Sequence, residues 1–277
     1  MNFNEKLLTV ARANNSWLCV GLDPELAKIP KSFGSGIDAM LNFNKAVIDS
    51  TKDLVCAYKP NAAFYEAHGL DGWSVLRDTI RYIPSHIPVI LDCKRGDIGN
   101  TSKMYAQAAF ESLGADAVTV NPYMGKDSVE PFLSFKDKGV FILCLTSNPS
   151  AIEVQKRIIA GENSELFLLV AQLVTKWNIN GNAGVVIGAT VAGDLKSVRD
   201  IIGPEIPILI PGVGAQGGDL EQSILQGSNE RGEMAIINIA RGVIYAGQDP
   251  DCKSGIRKAA EDYRNNIAGI SEIKRES

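Results

Sequence analysis

Histidine is scarce in this chain: 277 residues contain only His68 and His86. Neither stands at the end of an apolar run, which argues against a histidine triad or a histidine-based metal site. The five cysteines, at 19, 56, 93, 144 and 252, are odd in number and form no C-x-x-C pair. That spacing speaks against a disulfide framework and a zinc cluster. Four of the five lie inside apolar runs, as small buried thiols of a reducing compartment would. No apolar stretch is long enough to span a bilayer. The N-terminal MNFNEKLLTVARANNS carries Glu5 and lacks the apolar core and cleavage site of a signal peptide, so a cytoplasmic location is expected. Charge of one sign is lacking too. Twenty-eight basic residues against 32 acidic ones leave −4, which gives no reason to expect nucleic acid or an anionic membrane as the main partner. Any anion site must be local.

What the chain does have is repetition. Eight β-rich runs stop at polar or Gly/Pro punctuation: SWLCVGLDP from 16, LVCAYKPNAAF from 54, IPVILDCKRGD from 87, DAVTVNPYMG from 116, GVFILCLTSNP from 139, AGVVIGAT from 183, IPILIPGVGAQ from 206 and MAIINIARGVIY from 234. Helical periodicity fills the gaps, as in IDAMLNFNKAVIDSTKDL, where Ile37, Met40, Leu41, Val47 and Ile48 share a side, and in SKMYAQAAFESLG, closed by Gly114. The runs are nearly continuous in apolar residues, as strands covered on both faces are. Eight strands alternating with helices, with no linker or break in composition, predict a single (β/α)8 TIM barrel over residues 1–277. An N-terminal helix over about residues 2–14 is expected to cap it. A doubly wound open sheet is the alternative fold for the same pattern. The longer, more polar segment 150–165 reads as a mobile loop.

Barrel chemistry sits where strands end. Here those ends carry Asp23, Lys59 with Asn61, Asp92 with Lys94, Asn121, Thr146 with Ser147, Thr190, Gln216 and Arg241. A ring of polar groups drawn from separate strands is the main sign of an enzyme. The densest point is PVILDCKRGDIGNTS, residues 88–102. Side chains two apart on a strand share a face, so Ile90, Asp92 and Lys94 point together, as do Ala57, Lys59 and Asn61. If both faces look inward, two lysines and a carboxylate meet at the barrel mouth. An ion pair fastening two strands is the plainer account of one Lys/Asp pair. Several charges gathered at one strand end would incur a desolvation cost too large for fastening alone, and fit a site that moves protons better.

GVGAQGG, residues 212–218, matches G-x-G-x-x-G through Gly212, Gly214 and Gly217. As a dinucleotide fingerprint it falls late in the chain, and Arg241 rather than an acid closes the next strand, leaving an NADP variant as the dinucleotide option. As a barrel feature it falls on the loop after strand seven, where phosphate monoesters bind backbone N–H groups at a helix start. Gln216 and Arg241 would add donors to that cradle. Asp23 in GLDP could bond a sugar hydroxyl or simply form a turn or N-cap; TSNP offers polar donors but is also ordinary turn composition.

Together, GLDP, YKPNAAFYE, LDCKRGDIGNTS, TSNPS, PGVGAQGG and ARGVIY resemble the orotidine 5′-phosphate decarboxylases, most of all their longer, bacterial-type (type 2) branch, in order from about residue 16 to 246. The resemblance implies loss of CO2 from orotidine 5′-phosphate to give UMP, with no cofactor and no metal. It implies that Lys94 donates a proton to C6, that Asp92 sits against the departing carboxylate, and that Lys59 holds the array. Asp97, Ile98 and Thr101 would reach into the site of the partner in a homodimer. Asp23 and Asp97 would bind ribose hydroxyls, Thr146 and Ser147 the pyrimidine edge, and Asn61 would lie beside ribose and phosphate. Gln216 and Arg241 would grip the phosphate, with Pro211 and Ala240 completing the substrate-binding set. Many relatives have Ser where this chain has Ala240. Three other readings stay in view: a metal-dependent lyase sharing D-x-K-x-x-D, a Schiff-base aldolase using Lys59 or Lys94, and a catalytically silent nucleotide-binding barrel.

Overall fold

The structure, a computed structural model, describes residues 1–161, 163–213 and 218–276. Eight parallel strands form one nearly closed barrel: β1 (Leu18–Leu22), β2 (Ala57–Pro60), β3 (Ile90–Arg95), β4 (Ala117–Val120), β5 (Gly139–Leu145), β6 (Ala183–Ile187), β7 (Ile208–Pro211) and β8 (Ala235–Ile239). Each pairs with its neighbours in sequence. The first and last are joined at Leu18↔Ile237, and β2 meets β3 through the bridges Tyr58↔Val89 and Asn61↔Asp92. An open doubly wound sheet leaves its edge strands unpaired, so the β1–β8 ladder excludes it.

The strands hold this arrangement because their Val, Ile, Leu and Ala side chains are buried on the inner face and again beneath the outer helices. Helix Gly36–Thr51 contributes Met40, Phe43, Val47 and Ile48 to the core, with Phe43 stacked on Tyr245 at 5.8 Å between ring centroids. The first helix, Phe3–Ala13, starts in a reciprocal cap: Asn2 Oδ1 accepts from Glu5 N–H at 2.9 Å, and Glu5 accepts from Asn2 N–H at 3.0 Å. Its Phe3 ring lies edge-on to Phe141, 5.6 Å away, and over Gly139 at the start of β5. A Cβ at Gly139 would stand 2.5 Å from that ring, so only glycine fits there.

Segment 150–165, expected as a loop, carries local structure. A short turn of helix at Pro149–Glu153 is followed by a small antiparallel ladder between Ile158–Ile159 and Ser164–Glu165. No helix among the described residues is long and apolar enough to cross a membrane.

Candidate active site

The site begins with an irregularity. Leu91 pairs with Val118 and Arg95 with Val120, so β3 takes four steps where β4 takes two. The surplus is a bulge at Asp92–Lys94, and Lys94 adopts a positive φ of 46°. The regular ladder is interrupted there, yet Asp92 and Lys94, which alternation put on one face, line the same cavity. Asp92 points into the barrel and is buried; Lys94, with its side chain 48% exposed, lines the same cavity and places Nζ 2.7 Å from Asp92 Oδ1. The expected meeting of charges occurs, on a strand whose register is shifted.

Asp92 is held on three sides. Oδ1 accepts from Lys94 Nζ and from Thr119 Oγ1 at 2.8 Å; Oδ2 accepts from Lys59 Nζ at 2.9 Å. The Lys59 side chain is only 3% exposed. Burial penalises the Asp92 carboxylate, but the two ammonium groups overcome it and hold the acid well below its ordinary range. Burial likewise works against Lys59, yet Asp92 and Asp23 keep that ammonium above the ordinary lysine value. Asp23, at the end of β1, goes the other way. Burial pushes its carboxyl up, Lys59 offsets this only in part, and the charge of Asp92 adds to it. Asp23 accepts from the backbone N–H of Asn61 at 3.2 Å, and Asn61 caps the helix beginning at Ala62.

These groups open on a cavity of about 590 Å³ at the strand ends, lined also by Thr146, Ser147, Pro211, Ala240 and Arg241. Arg241 is exposed at the cavity wall, and its guanidinium forms no hydrogen bond or ion pair with the described residues. Thr146 is fixed by Gln155, which folds back from segment 150–165: its Oε1 accepts from Thr146 N–H at 2.8 Å and its Nε2 donates to Thr146 Oγ1 at 2.9 Å. Behind Ser147 lies Gly188, where a Cβ would stand 2.6 Å from the serine.

Ten of the expected site residues thus line one cavity: Asp23, Lys59, Asn61, Asp92, Lys94, Thr146, Ser147, Pro211, Ala240 and Arg241. Asp97, Ile98 and Thr101 do not line it; they follow β3 at the start of helix Gly99–Gln107, with Asp97 accepting from Ile98 N–H. Gln216, with Gly214 and Gly217, lies outside the described residues. Asn121 instead caps a short turn, and Thr190 donates to the Ser147 carbonyl in an adjoining recess. Thr119, Gln155 and Asn238 also line the cavity and escaped the sequence reading. Asn238 and Thr119 were visible only as lone polar residues inside the apolar runs AIINI and AVTV. The Asn238 Oδ1 is buried without a hydrogen-bond partner among the described residues. Among the described residues, no group of three or more His, Cys, Asp or Glu side chains could hold a metal ion.

A (β/α)8 barrel whose mouth combines a buried carboxylate, two lysines and an exposed arginine is built to act on an anionic small molecule. Residues 16–253 match the family of orotidine 5′-phosphate decarboxylases and HUMPS enzymes, and the chain belongs to that family. A relative from Herpetosiphon aurantiacus, named orotidine 5′-phosphate decarboxylase, is 49% identical over 94% of this chain and 96% of its own. Among solved structures, OMP decarboxylase from Leishmania donovani superposes with a TM-score of 0.87 at 38% identity, covering 98% of this chain and 100% of that one. UMP synthase from the same organism gives 0.88 at 40% identity, with 98% of this chain covered; the chain spans 57% of that longer protein.

Proposed function

We propose that the chain is a carboxy-lyase that converts orotidine 5′-phosphate to UMP and CO2 without a cofactor, acting in the cytoplasm as one barrel domain over residues 1–277. Departure of CO2 from C6 leaves an electron pair in the plane of the ring, where the π system cannot absorb it. Fixed positive charge must then stabilise it, and each decade of rate needs about 1.4 kcal/mol of such differential stabilisation. Lys94 supplies that charge and then its proton. Asp92, locked as an anion between Lys59 and Lys94, faces the substrate carboxylate and repels it, and this repulsion is relieved as CO2 leaves. Arg241, joined by Gln216, holds the phosphate, and its binding energy offsets the strain at the other end. Thr146 and Ser147 contact the pyrimidine edge; Asp23 and Asn61 contact the ribose, with Pro211 and Ala240 filling the wall.

The observation that carries this reading is the Lys59–Asp92–Lys94 chain of contacts, at 2.9 and 2.7 Å, opening on the cavity that Arg241 also lines. A homodimer completes the site, with Asp97, Ile98 and Thr101 reaching across to the partner. Supporting this, Ile98, Met104, Tyr105, Tyr123 and Met124 are exposed on the segments that follow the neighbouring strands β3 and β4.

The deciding experiment adds purified protein to orotidine 5′-phosphate in EDTA and follows the pyrimidine absorbance. CO2 release unaffected by the chelator is expected, with Lys94→Ala silent but folded. Dependence on Mg2+ would favour a metal-assisted lyase and sink the cofactor-free reading.

A further inference from the structure

We infer that Thr119, on β4, is a positioning residue whose hydroxyl builds the β3 bulge and thereby aims Lys94; the inference rests on the decarboxylase reading for its catalytic consequence. Thr119 is 1% exposed. Its Oγ1 accepts from Cys93 N–H at 3.0 Å and from Lys94 N–H at 2.9 Å, and donates to Asp92 Oδ1 at 2.8 Å. A hydroxyl has one proton to give and two lone pairs to fill, so this one is saturated. Nothing is left for a substrate, and the role must be exerted through its three partners.

The need for a hydroxyl follows from the register. Where β3 runs four steps against two on β4, the N–H groups of Cys93 and Lys94 turn to the Thr119 hydroxyl. A buried N–H without an acceptor is costly, and the positive φ of Lys94 adds strain for a residue with a side chain. One oxygen meets both donors and, by the same atom, fixes the carboxylate to which Lys94 Nζ returns. Around it, β4 moulds the rest of the turn. Asn121 N–H reaches the Arg95 carbonyl at 2.8 Å, and Gly96 lies flush on the Asn121 carbonyl, 2.6 Å from where a Cβ would stand. Backbone and ammonium are thus set by the neighbouring strand.

The test compares Thr119→Val, which keeps the shape and removes all three hydrogen bonds, with Thr119→Ser, which keeps the hydroxyl. For valine, kcat should fall on the order of a hundredfold, as a misplaced catalytic group does, while KM and UMP affinity stay near those of the parent. Serine should restore most of kcat. Amide hydrogen exchange in the free protein supplies a second readout: Cys93 and Lys94 should exchange at least about tenfold faster with valine but not with serine, the tenfold being the cost of about 1.4 kcal/mol of lost protection. A valine variant with parental kcat, equal losses in valine and serine, or unchanged exchange would each overturn the inference. Exchange needs no turnover, so it decides the positioning claim even if the parent releases no CO2, a result that would overturn the decarboxylase reading alone. Should the valine chain fail to fold, Thr119→Cys, with a weak thiol in place of the hydroxyl, goes through the same two measurements.

Discussion

Replacing Lys59 by methionine keeps the length and much of the packing of the side chain but removes its charge. Asp92 is then left in a buried position with Lys94 alone, a group half in solvent. Breaking a buried pair by removing one partner costs about 3–5 kcal/mol, and at roughly 2 °C per kcal/mol for a domain of this size the melting temperature should drop by about 6–10 °C near neutral pH. The pH dependence follows from the two shifts. The Asp92 pKa is depressed below 3.8, so its stabilising contribution is complete above that value and is lost as pH falls through the folded-state pKa. Lys59 is raised above 10.5, so its contribution is complete below that value and is lost as pH climbs through the folded-state pKa. The gap between parent and variant should therefore be widest across the middle of the pH range and close on the acid side. Thermal melts followed by circular dichroism at a series of pH values measure it. A second substitution, Asp92→Leu in the Lys59→Met background, should recover part of the loss because no unpaired charge remains. Melting temperatures that match at neutral pH, or a gap that grows on acidification, would refute the argument.

Asp23→Asn should raise stability at neutral pH, because the raised pKa means that the fold bears a cost for ionising that carboxyl. The gain should vanish at pH values below 3.8, where the acid is neutral folded or unfolded, and substrate affinity should weaken; melts and substrate titrations report both. Arg241→Ala should raise KM for orotidine 5′-phosphate by about ten- to a hundredfold, as loss of hydrogen bonds of roughly 1.5–3 kcal/mol to a charged group implies, yet leave binding of the unphosphorylated nucleoside unchanged. Mixing inactive Asp97→Asn and Lys94→Ala chains should restore about a quarter of the parental rate, since half of randomly formed dimers are hybrids with one intact site of two. Demonstrated hybrids that stay inactive would dismiss the shared site.

The barrel was legible because eight apolar runs with polar ends leave few other packings. Lys59 and Asp92 were legible because charge at the end of a buried strand is conspicuous. Lys94 was legible on the same ground, but its bulge was not, because strand alternation carries no sign of a register shift against the neighbouring strand. Thr119 and Asn238 stayed hidden because threonine is an ordinary β-strand residue and a single asparagine among isoleucines marks no particular chemistry. Gln155 reaches Thr146 only because segment 150–165 folds back, a tertiary event that local pattern does not encode. Asp97, Ile98 and Thr101 lie beyond the strand end, where neither alternation nor helical period says which way they face.

The ladder between β1 and β8 has a consequence for how the chain is made. Its two halves are synthesised at opposite ends of translation, so a ribosome-bound chain cannot seal the barrel until almost every residue has emerged. The Lys59–Asp92–Thr119 cluster, by contrast, draws only on the first four strands and can assemble while Arg241 is still unmade. The charged half of the mouth must therefore wait, exposed to water, for the strand that leads to Arg241.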